Sequence, residues 1–163
     1  MCIRDSVYAL SRALGRVFFA RSAREADDEA VFRALAAPDF DAESVVLLAP
    51  PAGPLPAPRA GRSFSVARVV RDAPEALTVD TEASEAGYLV LTRSHDRGWK
   101  ARLDGAEVPL RRADLALSAV LVPAGAHRLE LAYRPAAFRA GAALSVASLV
   151  VLAGLILAGQ RPP

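Results

Sequence analysis

The sequence predicts a mainly β fold: an antiparallel β-sandwich with a short N-terminal helix, followed by one C-terminal transmembrane helix. Short apolar segments recur at intervals of about 8–12 residues, which is typical of consecutive strands in a sandwich. Asp104-Gly105 lies between two of these segments and is a strong signal for a two-residue hairpin. The helix is predicted by the run 140–159, which contains no charged residue.

An approach segment is expected at 7–62, containing a strand, a helix at 26–37, a second strand and a proline-rich loop at 50–58. Acidic residues at 27–29 favour the positive end of the helix dipole, and Pro38 ends the helix. Five of the nine residues in the loop are proline, so it must be extended and irregular. We expect this loop to cross between two sheets or to lie under one edge. The alternative is a ligand for a proline-binding module.

The core of the sandwich is predicted at 63–139. Its expected strands lie at 63–70, 76–83, 87–93, 99–103, 106–110, 115–122 and 127–133. In the last strand apolar and charged positions alternate, which indicates a strand with one buried face. The residues of one face are His127, Leu129, Leu131 and Tyr133, and those of the other are Arg128, Glu130 and Arg134.

The uncharged run 140–159 is long enough to cross a bilayer, because a helix rises about 1.5 Å per residue and the hydrocarbon core is about 30 Å thick. Arg139 stands at one end and Arg161, in the tail 160–163, at the other. A buried core helix is the soluble alternative. Small residues fall close to one helical face, which fits either the last helix of a bundle or simply an alanine-rich composition.

Composition excludes several function classes. The chain has 163 residues, a mean hydropathy of +0.24 and a net charge of +2, so no basic field argues for a nucleic-acid partner. Cys2 is the only cysteine, which rules out disulfides, cysteine-based zinc sites and redox pairs. Residues 1–6 resemble a translated adapter sequence, and we therefore expect the parent chain to extend upstream of Val7.

The motifs of common catalytic sites are missing from the sequence, so we expect no catalytic residues, no metal ligands and no cofactor. Ser94-His95-Asp96 has the residue types of a triad, but adjacent positions cannot form one, and turn chemistry explains them better. Trp99 is expected to pack in the core, with stacking on a sugar ring as the alternative. His95, Asp96 and Trp99 are therefore the candidate substrate-binding residues. His127 is expected to be a hydrogen-bonded structural imidazole.

One set of motifs, taken in its order along the chain, is specific enough to be compared with a known family. It comprises GYLVL at 87–91, GWKA at 98–101, Asp104-Gly105, VPAGAH at 122–127, YRP at 133–135 and GAALS at 141–145. The set resembles the C-terminal part of YfhO-like bacterial membrane proteins, multi-spanning relatives of the GT-C glycosyltransferases. Arg97 and Leu103 depart from that pattern, which usually has proline and valine there.

The resemblance implies a multi-pass parent in the bacterial cell membrane, with the β-domain extracytoplasmic. Such a parent would transfer sugar from a polyprenyl-phosphate donor to a cell-envelope glycopolymer, and this fragment would carry none of its catalytic acids. The implied partners are the lipid bilayer, the other transmembrane helices of the parent and cell-envelope glycan. The alternative is a self-standing, membrane-anchored β-domain that binds a glycan or a protein and is not an enzyme.

Membrane orientation is predicted differently by two arguments. Arg128, Arg134 and Arg139 precede the helix and only Arg161 follows it, which by the positive-inside rule would place the β-domain in the cytoplasm. The resemblance places it outside. We expect the outside placement, because a domain longer than about 60 residues crosses the membrane largely regardless of its flanking charge.

Overall fold

The computed structural model describes residues 14–57 and 64–159, and it places the side chains of these residues except at 139 and 153–159. The predictions for 1–6, for the end of the proline-rich loop and for the tail 160–163 lie outside the described residues. The described elements are β1 (Val17–Phe19), β2 (Ser22–Glu25), α1 (Asp28–Leu35), β3 (Val45–Leu48), β4 (Ser65–Ala73), β5 (Ala76–Ala83), β6 (Gly87–Leu91), β7 (Trp99–Leu103), β8 (Ala106–Val108), β9 (Arg111–Ala113), β10 (Leu117–Val122), β11 (Gly125–Tyr133) and α2 (Ala136–Gly159). The predicted mainly β class is confirmed.

The strands form two sheets. The first has the order β1-β6-β10-β9-β3-β2 and the second the order β4-β5-β11-β7-β8. Every neighbouring pair is antiparallel except β2 and β3, which run parallel. The antiparallel sandwich core is predicted at 63–139, so this parallel pair lies outside it, in the approach segment. The two strands can run parallel because α1 connects them, and a parallel pair needs such a crossover.

Two strands that follow each other along the chain do not always pair. The spacing predicts the strands at 76–83 and 87–93 as antiparallel neighbours, yet β5 lies in the second sheet and β6 in the first. The turn at 123–126 likewise leads from β10 in the first sheet to β11 in the second. The apolar run of β6 explains this difference, since all five of its residues are buried and a strand buried on both faces needs cover on two sides.

The first sheet contributes to two hydrophobic clusters, one on each face. One cluster joins the two sheets and contains Leu89 and Val120 of the first sheet with Val79, Leu129 and Leu131 of the second. The other cluster covers the opposite face of the first sheet and contains the following residues: Ala20, Val46, Leu48, Ala52, Tyr88, Val90, Ala113 and Ala119. The sheet is therefore the middle layer of the fold.

The described part of the proline-rich loop covers the second cluster. Ala52 is fully buried there. The Tyr88 hydroxyl donates a hydrogen bond that is shared between the carbonyl oxygens of Ala52, at 3.1 Å, and Pro54, at 3.0 Å. Burial raises the pKa of Tyr88 above its ordinary value. The loop thus lies against the first sheet and satisfies the one polar atom that Tyr88 brings into this core.

The hairpin at Asp104-Gly105 is confirmed. β7 and β8 pair antiparallel with Leu103 opposite Ala106, and the two turn residues have φ values of 51° and 84°. A two-residue turn of this kind needs positive φ at both positions, which aspartate and glycine tolerate.

The alternation predicted for the last strand is also observed. Leu129 and Leu131 are buried in β11, and Arg128 and Glu130 are exposed. Arg134 differs from the prediction, because β11 ends at Tyr133 and the backbone N–H of Arg134 instead donates to the carbonyl oxygen of Gly98 at 2.6 Å.

Two residues separate the end of β11 from the start of α2, and α2 includes the predicted helical run 140–159. Its apolar side chains are exposed where the structure describes them, for example Leu144 at 71% and Leu149 at 65%. Among the described residues no helix meets the length and apolarity that crossing a membrane would require. The transmembrane role predicted for 140–159 is therefore not confirmed.

Asp114 connects β9 to β3, two neighbouring strands of the first sheet. Its side chain is 8% exposed, and its φ of 45° places it in the turn between β9 and β10. Its backbone N–H donates to the carbonyl oxygen of Leu47 at 2.8 Å, and its Oδ1 accepts from the Leu47 N–H at 2.9 Å. The buried Oδ2 has no hydrogen-bond partner in the described part of the chain. Burial raises the pKa of Asp114, although the hydrogen bond from Leu47 acts in the opposite direction.

Replacing Asp114 by asparagine should raise the free energy of unfolding at neutral pH. The raised pKa means that the stabilising contribution of this carboxyl is greatest below its ordinary value of 3.8 and is lost as the pH rises through the folded-state pKa. Asparagine keeps the acceptor for Leu47, tolerates positive φ and carries no charge. Urea denaturation at acid and neutral pH measures the effect.

The control is Asp114→Ala, which leaves the buried N–H of Leu47 without an acceptor and should lower the free energy of unfolding by about 1–3 kcal/mol. If both variants lose the same amount of stability at neutral pH, the buried charge of Asp114 does not destabilise the folded state.

Candidate functional site

The three candidate residues from the sequence line one pocket. His95, Asp96 and Trp99 border a cavity of about 320 Å³ at the start of β7. The other lining residues come from the same loop and from β7, β8 and the segment after it, and they are Arg97, Lys100, Ala101, Glu107, Val108, Pro109 and Leu110. The pocket therefore combines an aromatic ring, an imidazole, carboxylates and cations, which is a composition that can hydrogen-bond and stack a polar ligand.

Trp99 is half-buried and has contacts on two sides. The guanidinium carbon of Arg93 lies 4.9 Å from the centre of its ring, within cation–π distance. The ring of Tyr133 lies 5.1 Å away, tilted by 52°. Its inner part packs against the cluster between the sheets. The predicted core packing therefore describes only part of this side chain, and the remainder lines the pocket.

Gly98 is required by the Tyr133 ring. A Cβ atom at this position would lie 2.6 Å from a ring carbon of Tyr133, so any residue other than glycine would force the ring to move. Asp96 Oδ1 accepts a hydrogen bond from the Gly98 N–H at 2.7 Å. The hydrogen bond between Asp96 and the Tyr133 hydroxyl raises the pKa of Tyr133. Asp96 thus fixes the turn that precedes Trp99, as the turn interpretation predicts.

His95 makes a contact that the sequence does not indicate. Its Nδ1 lies 3.4 Å from the Oγ of Ser118 in β10, and no hydrogen bond joins it to the adjacent Ser94 or Asp96 in this described loop. Burial lowers the pKa of His95, and the nearby Arg112 lowers it further. We therefore expect a neutral imidazole at neutral pH, available for hydrogen bonding at the pocket wall.

Arg93 is the residue of this site that sequence reasoning missed. Its guanidinium donates to the carbonyl oxygens of Pro74, at 3.1 Å, and Ala73, at 2.9 Å, and to the carboxylate of Asp72 at 2.5 Å. These acceptors lie about twenty residues away along the chain, at the end of β4 and in the turn that follows it. No local pattern in the sequence could have indicated this contact.

A second polar site surrounds His127 and borders a cavity of about 510 Å³. Nδ1 of His127 lies 2.6 Å from Asp104 Oδ2, and Nε2 lies 3.2 Å from the carbonyl oxygen of Ala124. Both partners are acceptors when Asp104 is ionised, so both ring nitrogens must carry protons to satisfy them. The Asp104 carboxylate accordingly raises the pKa of His127. This geometry agrees with the expected hydrogen-bonded structural imidazole.

The charges beside His127 are paired with each other. The Arg128 N–H donates to Asp104 Oδ1 at 2.8 Å, and its guanidinium binds both carboxylate oxygens of Asp80, at 2.7 and 3.0 Å. The hydrogen bonds from Arg128 are the main reason that the pKa values of Asp80 and Asp104 are lowered. Across 14–57 and 64–159, no group of three or more His, Cys, Asp or Glu side chains could hold a metal ion.

Comparison with known proteins identifies a region that includes both sites. Residues 65–145 match the family model described as bacterial membrane protein YfhO. The matched region runs from the start of β4 into α2. No curated protein and no solved structure gives a significant match to the chain.

Replacing Trp99 by alanine should lower the free energy of unfolding by about 2–3 kcal/mol, less than for a fully buried tryptophan, because part of the ring already faces the pocket. The Trp99→Phe variant keeps an aromatic ring against Arg93 and Tyr133, so its free energy of unfolding should fall less. Urea denaturation of the two variants measures the difference. Unchanged stability of Trp99→Ala, together with lost binding of cell-envelope oligosaccharides, would contradict a packing role.

Raising the pH should weaken the fold through His127. Its pKa lies above the ordinary value of 6.5, so its stabilisation is complete below that value and is lost as the pH rises through the folded-state pKa. The thermal midpoint should therefore fall as the pH rises above 6.5, and it should fall less in the His127→Gln variant. His95 has a lowered pKa, so its contribution is lost on acidification through 6.5 and does not overlap this window. Equal pH slopes in the two proteins would contradict the role of His127.

Proposed function

Because the chain contains a YfhO-like region of a bacterial membrane protein, we propose that it supplies the C-terminal extracytoplasmic β-domain and the last transmembrane helix of a YfhO-like integral membrane protein. The family match supports a location in a bacterial membrane. In this proposal the two sheets and their shared cluster are a β-sandwich, and 140–159 is the part of α2 that enters the bilayer.

The observation that carries the proposal is the exposed apolar surface of α2. Its large side chains from 144 to 152 are all more than half exposed, and they are Leu144, Val146, Leu149, Val150, Val151 and Leu152. Apolar surface of this extent is rarely left in water, since each Å² of it costs about 25 cal/mol. Lipid tails or neighbouring apolar helices of the parent would remove this cost.

The position of α2 adds a second support. The helix leaves the second sheet directly from β11, and the Arg134 N–H fixes the connection by its hydrogen bond to Gly98. Because only two residues separate β11 from α2, the β-domain would lie close to the membrane surface.

The parent is proposed to transfer sugar from a polyprenyl-phosphate donor to a cell-envelope glycopolymer, with this domain contacting the glycan. The support within this chain is the pocket of His95, Asp96 and Trp99, because sugars are bound by aromatic rings together with hydrogen-bonding side chains. Its volume of about 320 Å³ is at the small end for ligand pockets, which suits one sugar unit of a longer chain.

The same pocket favours a second candidate function. A self-standing β-domain, anchored by α2 and binding glycan without catalysis, would use the same three residues. The two functions differ in the need for further membrane helices. Co-purification of the chain with transmembrane segments of a parent would support the first, whereas full glycan binding by the chain alone would support the second.

Cysteine labelling tests the placement of the β-domain. In the full-length parent with Cys2→Ser, Asp104→Cys marks the hairpin turn and Gln160→Cys marks the residue after α2. An impermeant maleimide added to intact spheroplasts should label position 104 and spare position 160. Lysed spheroplasts, in which both positions should react, are the control. Labelling of position 160 alone would put the domain in the cytoplasm and overturn the proposed placement.

A further inference from the structure

The loop between β6 and β7 holds His95 against β10 of the first sheet. The backbone N–H of His95 donates to the carbonyl oxygen of Ala116, just before β10, at 2.6 Å. Its half-buried ring lines the pocket, and Nδ1 of the ring lies 3.4 Å from the Oγ of Ser118 in β10. One imidazole therefore connects the pocket with a central strand of the first sheet.

Ser118 brings a hydroxyl into the buried part of β10. Its side chain is 1% exposed, and Val120, on the same face of the strand, belongs to the cluster that joins the two sheets. In the described part of the chain, Nδ1 of His95 is the only hydrogen-bond partner of this hydroxyl. The imidazole therefore satisfies a polar group that would otherwise be buried without a partner.

The His95 ring is neutral at neutral pH, so only one of its two nitrogens carries a proton. Burial lowers the pKa of His95, and the charge of Arg112 lowers it further, whereas Asp96 raises it less. Arg112 lies opposite Ser118 in the pairing of β9 with β10, and Asp28 of α1 forms an ion pair with it.

The buried hydroxyl decides which nitrogen carries the proton. If Nδ1 carried it, the Oγ of Ser118 would accept, and its own O–H would have no acceptor among the residues that the structure describes. If Nε2 carries it, the O–H of Ser118 donates to the lone pair of Nδ1. The second arrangement is favoured, because a buried donor without a partner is rarer than an acceptor with a free lone pair.

We propose that Ser118 is a positioning residue that holds His95 in the Nε2–H tautomer, so that the imidazole donates a hydrogen bond to an acceptor oxygen of the ligand. Nε2 has no hydrogen-bond partner within 14–57 and 64–159, which leaves its N–H for the pocket. The ligand part of this inference rests on the glycan binding proposed above. The hydroxyl and ring oxygens of a sugar are acceptors of this kind.

The ring nitrogens of His95 report the tautomer directly. The chain has only two histidines, so the His127→Gln variant leaves one imidazole to observe. The full chain is labelled with ¹⁵N-histidine and studied by NMR in detergent micelles at neutral pH. Nδ1 should resonate as an unprotonated imidazole nitrogen and Nε2 as a protonated one. The reverse pattern, or an average of the two, would overturn the tautomer assignment.

Variants of the buried hydroxyl test the role of Ser118. Ser118→Ala should move both ring resonances toward the average of the two tautomers. Ser118→Thr keeps the O–H and should restore the original pattern, which separates the lost hydrogen bond from a loosened core. Thr81→Ala is the matched control, since Thr81 is also a buried hydroxyl but donates to the carbonyl oxygen of His127. Unchanged resonances in Ser118→Ala would contradict the positioning role.

Titration with methyl glucoside tests the donor role of His95. The sugar should shift the Nε2 resonance of the imidazole. His95→Gln should still bind the sugar, because the glutamine amide nitrogen reaches the position of Nε2. The shorter amide of His95→Asn reaches only the position of Nδ1, so binding should weaken about two- to tenfold, as for one lost hydrogen bond. Equal affinity of the two variants would overturn the donor role.

The outcomes distinguish this inference from the proposed function. If the sugar leaves all resonances unchanged while Nδ1 is unprotonated, the glycan function of the pocket fails together with the donor role, and positioning by Ser118 stands. If the sugar binds but Ser118→Ala changes neither the resonances nor the affinity, the glycan function stands and positioning by Ser118 is overturned.

Discussion

The contact between Arg93 and Asp72 holds the two sheets together at the end where α2 begins. Arg93 follows β6 of the first sheet, and Asp72 belongs to β4 of the second. The Arg93 side chain is only 18% exposed, so its charge must be matched by the carboxylate and by the carbonyl oxygens of the hairpin turn. Arg16, just before β1, reaches the same carboxylate at 3.3 Å. One aspartate thus ties two neighbouring strands of the first sheet to the edge of the second.

The pocket of His95, Asp96 and Trp99 borders residues that this contact positions. Arg93 lies over the ring of Trp99, Trp99 contacts Tyr133, and Tyr133 packs on Gly98. Each member contacts the next, and a side chain at position 98 would collide with the Tyr133 ring. The candidate binding residues are therefore held by a chain of packing that starts from an ion pair between the sheets.

The middle position of the first sheet explains the remaining architecture. Its central strands are buried on both faces, so the second sheet covers one face and the described part of the proline-rich loop lies over the other. The crossover through α1 adds β2 beside β3 at the edge. This arrangement lets a short β-domain bury two apolar clusters, and it leaves the charged outer face of β11 in contact with water.

The sequence by itself determined the local features: the mainly β class, the hairpin at Asp104-Gly105, the alternation in β11 and the helical run in α2. Each of these depends on residues that are close along the chain, through turn chemistry or through side-chain periodicity. Motif order also indicated the YfhO-like region that the family match supports. Only the tertiary structure decided that β5 and β6 lie in different sheets, that β2 and β3 are parallel, and that Arg93 meets Trp99. These depend on contacts between distant segments, which are selected by the burial of both faces of the first sheet and not by any local pattern.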